Sequence, residues 1–377
     1  MIAIVDSGTS MQLPPFLLDH WLAAYEFATP PIRHDLAAST GPRWSVDELL
    51  AIAGGASIGD IKIGYAPPDG TRALREAIGA FHGVDPDWVV AATGASEAMS
   101  VLFCLAAEPG RNVVLPDPAF SAFSAMAGAW GLGARTYALD RTAGYRLDAG
   151  TVVAAADAGT VLTLVNTPHN PTGAVVVRDE IEMLAGALAE RGIPLVVDEV
   201  YHPLYIGAPQ RSAAAVDNVI TMSDMSKALS LPGLRLGWII DADPRRRKRI
   251  IDARSYFTIS GSPMLEAMAV HALRNSDVIL RRLEEVATQN LGRLTATMER
   301  VSDVLDWTRP EGGTVSFPWF RDGRDARPFC TRLAAAGVLV APGDCFGKPD
   351  HMRIGFAKSA DGYAEALDIF ERVLREA

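Results

Sequence analysis

The chain is poor in cysteine, in long apolar runs and in any excess of basic charge, and each shortage excludes something. Its 377 residues include three cysteines, Cys104, Cys330 and Cys345, odd in number, far apart and without C-x-x-C spacing. Neither a disulfide framework nor a zinc site is expected from such a pattern. The longest apolar stretches, such as Ala98 to Ala107, fall well short of the roughly 20 residues that a membrane-spanning helix requires. Basic residues number 35 against 45 acidic ones, a net charge of −10 with neither sign gathered into a block. An acidic balance argues against nonspecific nucleic-acid partners and against anionic membrane surfaces, since both need basic patches. The one basic run, Arg245 to Arg249, follows Asp241 and Asp243 and reads as a solvated helix start. Met1 to Ser7 reach Asp6 with no basic segment and no small-residue cleavage site, so no secretory signal is expected and the location expected is cytoplasmic. There is no internal repeat and no polar low-complexity tract.

What is present is the material of a large core. Hydrophobic residues make up 49% and charged residues 21%, a globular composition, and at about 150 residues per domain the length points to one large or two medium domains. Short runs rich in Val, Ile and Leu predict buried strands at Trp88 to Thr93, Asn112 to Leu115, Thr160 to Val165, Pro194 to Val197, Asn218 to Met222 and Leu236 to Ile240. Helical spacing fills the gaps at Ser96 to Ala107, Phe120 to Ala129 and Arg178 to Arg191. This alternation predicts an α/β domain whose mostly parallel sheet is covered on both faces.

After Pro244 the character changes to a helix at Arg245 to Ser255 and a long amphipathic stretch from Pro263 to Val304. β-like pieces follow at Thr314 to Phe320, Val338 to Ala341 and His351 to Ala357, then a closing helix at Gly362 to Glu376. The proline-bearing first 42 residues, with one helix at Phe16 to Phe27, read as an arm. We expect a large domain over 43–243 and a discontinuous α+β small domain built from 1–42 and 244–377.

In an open parallel sheet the ligand crevice lies beyond the carboxyl ends of the strands, and four of those ends are polar here. The first continues into Gly94, Ala95, Ser96 and Glu97, a small-residue helix start of the kind that favours a phosphate. Another runs through Asn166, Thr167, Pro168, His169, Asn170, Pro171, Thr172 and Gly173, where prolines hold two Asn side chains in a rigid turn. A third gives Asp198, Glu199, Tyr201 and His202. The apolar run before that acidic pair also fits the metal-binding strand of a P-loop ATPase, but the nearest phosphate loop, Gly54 to Asp60, has Asp60 where lysine must stand. His169, His202 and Asp198 lack the spacing of a metal set, and no metal is expected. The fourth end carries Ser223, Asp224, Met225, Ser226 and Lys227, then Pro232 to Arg235. A lysine at the mouth of an apolar crevice can lose its proton and become a nucleophile towards a carbonyl.

Together these segments resemble the class I/II aminotransferase family, the fold-type I pyridoxal-phosphate enzymes. The family marks are an N-P-x-N-P-T-G turn, here Thr167 to Gly173 with Thr167 in the first slot; D-x-x-Y, here Asp198 to Tyr201; and S-K followed eight residues later by arginine, here Ser226, Lys227 and Arg235. Tyr65 to Gly70, Pro118 to Phe120, Glu311 to Gly313, Pro342 with Gly343, and Met352 to Ile354 agree in the same order.

The resemblance implies a seven-stranded, mostly parallel sheet sandwiched by helices, a smaller α+β domain, and pyridoxal 5′-phosphate as cofactor. It implies that Lys227 forms the Schiff base and shuttles the proton, and that Asp198 faces the ring nitrogen. Asn170 and Tyr201 then bond the ring oxygen, while Ala95, Ser96, Ser226 and Arg235 hold the phosphate and Phe120 stacks on the ring. Tyr65 reaches the neighbouring subunit's phosphate in a homodimer with shared active sites, and Arg353 clamps the substrate carboxylate, with Asn170 beside it and Ser39, Thr40 and Gly41 near it.

The activity implied is ping-pong transfer of an amino group between an amino acid and a 2-oxo acid. Two departures stand out. Asp224 replaces the Ser or Thr that often helps bind the phosphate; repulsion predicts that it points elsewhere, with Ser223 or Ser226 supplying the hydroxyl. The arm is similar to that of a branch containing capreomycidine-synthase-like enzymes, which keeps β-elimination and cyclisation open as alternatives. A noncatalytic effector-binding module is disfavoured by the intact lysine and the lack of a basic helix-turn-helix segment.

Overall fold

Alternation along the apolar runs builds the sheet. In the computed structural model, which describes residues 14–26 and 28–376, seven strands form one sheet: β1 (Val89–Ala92), β2 (Asn112–Asp117), β3 (Gly133–Ala138), β4 (Thr160–Asn166), β5 (Leu195–Asp198), β6 (Val219–Asp224) and β7 (Gly237–Asp241). Met1 to Ser7 and Phe27, which entered the reading of the arm, lie outside the described residues. The spatial order is β1-β7-β6-β5-β4-β2-β3. Six strands run one way and β7 runs against both of its neighbours.

Because successive side chains leave opposite faces of a strand, Val113, Leu115, Val196 and Ile239 join one core with the helices Gly94–Ala106, Ala122–Ala129 and Pro244–Phe257. Val114, Leu195 and Val197 pack on the other face against Arg178–Ala189, while Trp238 and Ile240 pack there against Arg72–His82 and Pro263–Arg274. Burial on both faces explains the continuous apolar runs. Strand β3 escaped the sequence analysis for the converse reason: at the edge of the sheet its Gly-Ala-Arg-Thr-Tyr-Ala leaves all but Tyr137 exposed, so no apolar run announces it.

The long amphipathic stretch after Pro263 divides into Pro263–Arg274 and Ser276–Arg300. Asn275 leaves helical geometry (φ −120°, ψ 27°) and its side chain donates to the carbonyl of His271 at 2.8 Å, satisfying one end of the first helix. Further on, Val315–Ser316, Met352–Gly355 and Ala341–Pro342 form a three-stranded antiparallel sheet, and His34–Asp35 pairs in parallel with Val338–Leu339. Leu18, Trp21 and Leu36 thereby share a core with Phe317, Phe329, Ile354 and Phe370. Each such side chain taken from water contributes roughly 1.5–3 kcal/mol. Trp21 also donates its indole N–H to the carbonyl of Val340 at 2.9 Å, tying the arm to residues more than 300 positions away. No helix among the described residues is long and apolar enough to cross a membrane.

Candidate active site

Strand register gathers the polar strand ends. Asn166 lies beside Asp198, and Asp198 beside Met222, so β4, β5 and β6 finish together at one rim of the sheet. Strand β7 begins at that same rim, with Gly237 opposite Asp224, which brings Arg235 to it from the other direction. A cavity of about 260 Å³ opens there, lined by Ser39, Ala95, Ser96, Phe120, Asn166, Asn170, Asp198, Tyr201, Asp224, Ser226, Lys227, Arg235 and Arg353.

The turn after β4 is built by its own side chains. Asn166 accepts from the Asn170 amide at 2.7 Å and donates to the Asp198 carbonyl at 3.1 Å, which locks the turn to the end of β5. Asn170 then offers its Oδ1 to Arg353 Nη1 at 3.0 Å, and Arg353 Nη2 donates to the Ala37 carbonyl at 2.8 Å. Arg353 is 2% exposed, its guanidinium lies 4.9 Å from the Phe346 ring centre, and Nε has no partner among the described residues. Burial pulls Arg353 below the ordinary arginine range.

Asp198 receives the Val200 amide at 3.1 Å. Burial pushes its carboxyl up to about 7, with the neighbouring charges of Asp224 and Glu199 adding to the rise. Tyr201 is 1% exposed, its hydroxyl has no hydrogen-bond partner among the described residues, and burial raises it above the usual phenol range. Lys227 donates to Ser39 Oγ at 2.9 Å. Burial lowers the Lys227 amine, as do the charges of Arg353 and Arg235, while Asp224 and Asp198 oppose them.

At the opposite wall, Ala95 and Ser96 stand in the first turn of the helix Gly94–Ala106. Gly94 has φ +78°, and a Cβ there would lie 2.6 Å from Arg235 Nη2, so glycine is what lets the guanidinium close over the helix start. Asp224 does not point elsewhere: its carboxylate accepts from the Ala95 amide at 3.3 Å, the Ser226 amide at 2.8 Å and Ser226 Oγ at 3.0 Å. The helix start and an adjacent hydroxyl supply a compensation that the sequence does not display. Ser223 is the residue turned away, donating to the Glu199 carbonyl at 3.0 Å.

The remaining expected residues sit as follows. Phe120 is on the cavity wall, edge-on to Phe16 and Phe123 at 5.6 and 5.8 Å. Gly41 is buried against Ser230 and Leu283, outside the lining, whereas Leu18, Asp19, Leu22 and Ser39 of the arm reach the cavity. Tyr65 is 86% exposed and outside the cavity of its own chain. Asn166, absent from the expected site, had only its polarity and its place in the turn as signals, while Ser39, expected near the substrate carboxylate, is found on Lys227.

The model of the family described as aminotransferase class I and II matches residues 52–370. The chain belongs to that family. This family member is 32% identical over 354 residues to capreomycidine synthase of Streptomyces vinaceus, covering 92% of this chain and 90% of the relative. Among solved structures, a PLP-dependent aminotransferase from Streptococcus suis superposes with TM-score 0.89 at 26% identity, covering 97% of this chain and 98% of the other. The PLP-dependent cyclase OrfR superposes with TM-score 0.87, also at 26% identity and with the same coverage. This family member is therefore an enzyme, and its cofactor is pyridoxal 5′-phosphate.

The cavity fits that cofactor on its own evidence. A helix start roofed by Arg235 over a glycine suits a phosphate. Asp198 has no cationic nitrogen within 4.0 Å among the described residues and suits a protonated ring nitrogen, and the unpartnered Tyr201 hydroxyl suits a ring oxygen.

Proposed function

We propose that the protein is an aminotransferase that exchanges an amino group between an L-amino acid and a 2-oxo acid, with Lys227 as both the cofactor-binding amine and the proton carrier. The observation that supports this reading most is the place of Lys227, whose amine is lowered by burial and held by Ser39 in one cavity with Asp198 and Arg353. A lysine lowered in this way is neutral for more of the time, as a nucleophile and a base must be. When bound, pyridoxal 5′-phosphate supplies an aldehyde that condenses with amines and a ring that accepts the electron pair left when a bond to the substrate α-carbon breaks.

In this proposal Nζ of Lys227 takes the proton from the substrate α-carbon, and Ser39 Oγ steers the amine by accepting one of its hydrogen bonds. Asp198 holds negative charge against the ring nitrogen. Asn170, whose Oδ1 is taken by Arg353, keeps Nδ2 to donate to the ring oxygen beside Tyr201. Ala95, Ser96, Ser226 and Arg235 hold the phosphate, and Phe120 covers the ring. Arg353 orients the substrate carboxylate with the donor that has no partner among the described residues. The proposal includes a homodimer in which Tyr65 serves the neighbouring site; Ile63, Tyr65 and Tyr256 are 86–95% exposed, the kind of apolar surface that a partner covers.

A second reading, β-elimination or cyclisation on the same cofactor, is favoured by the likeness to capreomycidine synthase over 92% of the chain. One amino acid at a time, added to loaded protein without 2-oxo acid, separates the two. Transfer leaves the cofactor as its amine and releases a 2-oxo acid. Retained aldehyde together with ammonia or a cyclised product would overturn transfer in favour of the second reading. Borohydride reduction followed by peptide mass mapping should place the cofactor on Lys227, and Lys227→Ala should abolish the adduct; an adduct elsewhere sinks both readings.

A further inference from the structure

The anion cup at the start of the helix Gly94–Ala106 already contains an anion of the protein's own. Asp224 ends β6, and the chain then turns so tightly that the Ser226 amide and hydroxyl fold back on its carboxylate at 2.8 and 3.0 Å, while the Ala95 amide meets it at 3.3 Å. Asp224 is 7% exposed, and no Lys or Arg nitrogen lies within 4.0 Å of its carboxylate among the described residues, so backbone amides and one hydroxyl are its compensation. Arg235 closes the other side of the cup, fitted against Gly94. The hydroxyl of the preceding residue, Ser223, faces the Glu199 carbonyl.

We infer that Asp224 is a built-in competitor of the cofactor phosphate: its carboxylate holds the Ala95 and Ser226 donors, and a phosphate obtains them only by turning the carboxylate out. The inference rests on the proposal above that this cup takes the phosphate. Each N–H and O–H donor serves one acceptor well, so three donors cannot satisfy a carboxylate and a phosphate together. The helix start offers a partial positive charge of about half a unit, too little for two anions in contact where little water screens them. The cup is thereby kept formed and its donors satisfied without cofactor, and phosphorylated cofactor is bound less tightly than the donor set alone allows. A neutral residue at 224 removes the competitor. Pyridoxal, which has no phosphate, should not register the change.

The test uses full-length protein, stripped of cofactor and reloaded with pyridoxal 5′-phosphate or with pyridoxal, the bound form followed by absorbance. Asp224→Ser and the isosteric Asp224→Asn are expected to bind pyridoxal 5′-phosphate about tenfold tighter than the parent, the size of one charge-assisted hydrogen bond. Pyridoxal affinity should stay within about twofold, and inorganic phosphate should block loading at lower concentration in both variants. Equal or weaker binding of pyridoxal 5′-phosphate by variants that keep the parent's circular dichroism overturns the inference, as does an equal gain for pyridoxal. A borohydride-trapped adduct on Lys227 with unchanged selectivity refutes the competitor alone. Failure of the parent to form any adduct refutes the phosphate-site proposal and the inference with it.

Discussion

Asp198→Asn isolates one charge with little change of shape. Asp198 Oδ1 accepts the Val200 amide at 3.1 Å, and the Asn carbonyl oxygen can keep that bond, so the turn after β5 should survive. The magnitude follows from the burial of the carboxyl. Its rise from an ordinary 3.8 to about 7 corresponds to about 4 kcal/mol at 1.36 kcal/mol per pH unit. That is roughly what the protein spends to keep a carboxylate there, and a cationic ring nitrogen placed against it recovers an amount of similar size. Asparagine offers no such recovery, so the ring loses its protonation and with it most of its capacity to take up an electron pair. A loss of about 4 kcal/mol predicts a fall of about 10³ in the single-turnover rate with a reactive amino acid. The assay is stopped-flow absorbance on loaded enzyme under excess amino acid, alongside equilibrium cofactor binding, which should weaken by much less if the phosphate contacts are intact. A single-turnover rate within about fivefold of the parent would refute the assignment of Asp198 to the ring nitrogen.

Two further perturbations probe other parts of the molecule. Arg353→Lys keeps the charge but loses the planar fork that now reaches Asn170 and Ala37; the KM for amino acids should rise about 10- to 100-fold with a smaller change in kcat, and an unchanged KM would remove Arg353 from carboxylate binding. Burial lowers His202 to about 4 from 6.5, with Glu199 opposing and His82 adding to the effect. The unfolded chain therefore takes up a proton near pH 6.5 and the folded chain only near 4, so stability falls as pH falls across that window, by up to 1.36 kcal/mol per pH unit. His202→Gln should flatten the slope of unfolding free energy between pH 6.5 and 4 by about one proton, and urea melts at several pH values that show the same slope as the parent would contradict it.

The motifs were legible because each is local. Thr167 to Gly173 and Asp198 to Tyr201 are short stretches at strand ends, and their prolines, asparagines and acids need no tertiary partner to be noticed. Six of the seven sheet strands announced themselves through two-sided burial, whereas β3 stayed hidden because an edge strand of Gly, Ala, Arg and Thr has no such signature. The division of the Pro263 to Val304 stretch depended on one residue, Asn275, whose side chain bonds the preceding helix end instead of extending it. Ser39 and Gly41 show the limit inside the site. Two positions apart on an irregular arm, one reaches Lys227 and the other is packed against Ser230 and Leu283, and no periodicity separates them.

The family and its cofactor were legible in the sequence, and a candidate lysine with them, because these rest on residue types at fixed short spacings. Tertiary structure alone decided which groups meet: Arg353 with Asn170 across 183 residues, the arm with the strand at Val338–Leu339, and Arg235 with Gly94 at the mouth of an antiparallel strand. It also reversed one expectation. Repulsion argued against a carboxylate at the start of the helix Gly94–Ala106, yet three donors supplied by Ala95 and Ser226 hold that of Asp224 there. Charge is written in the sequence, but its compensation depends on which backbone amides the fold aims at it.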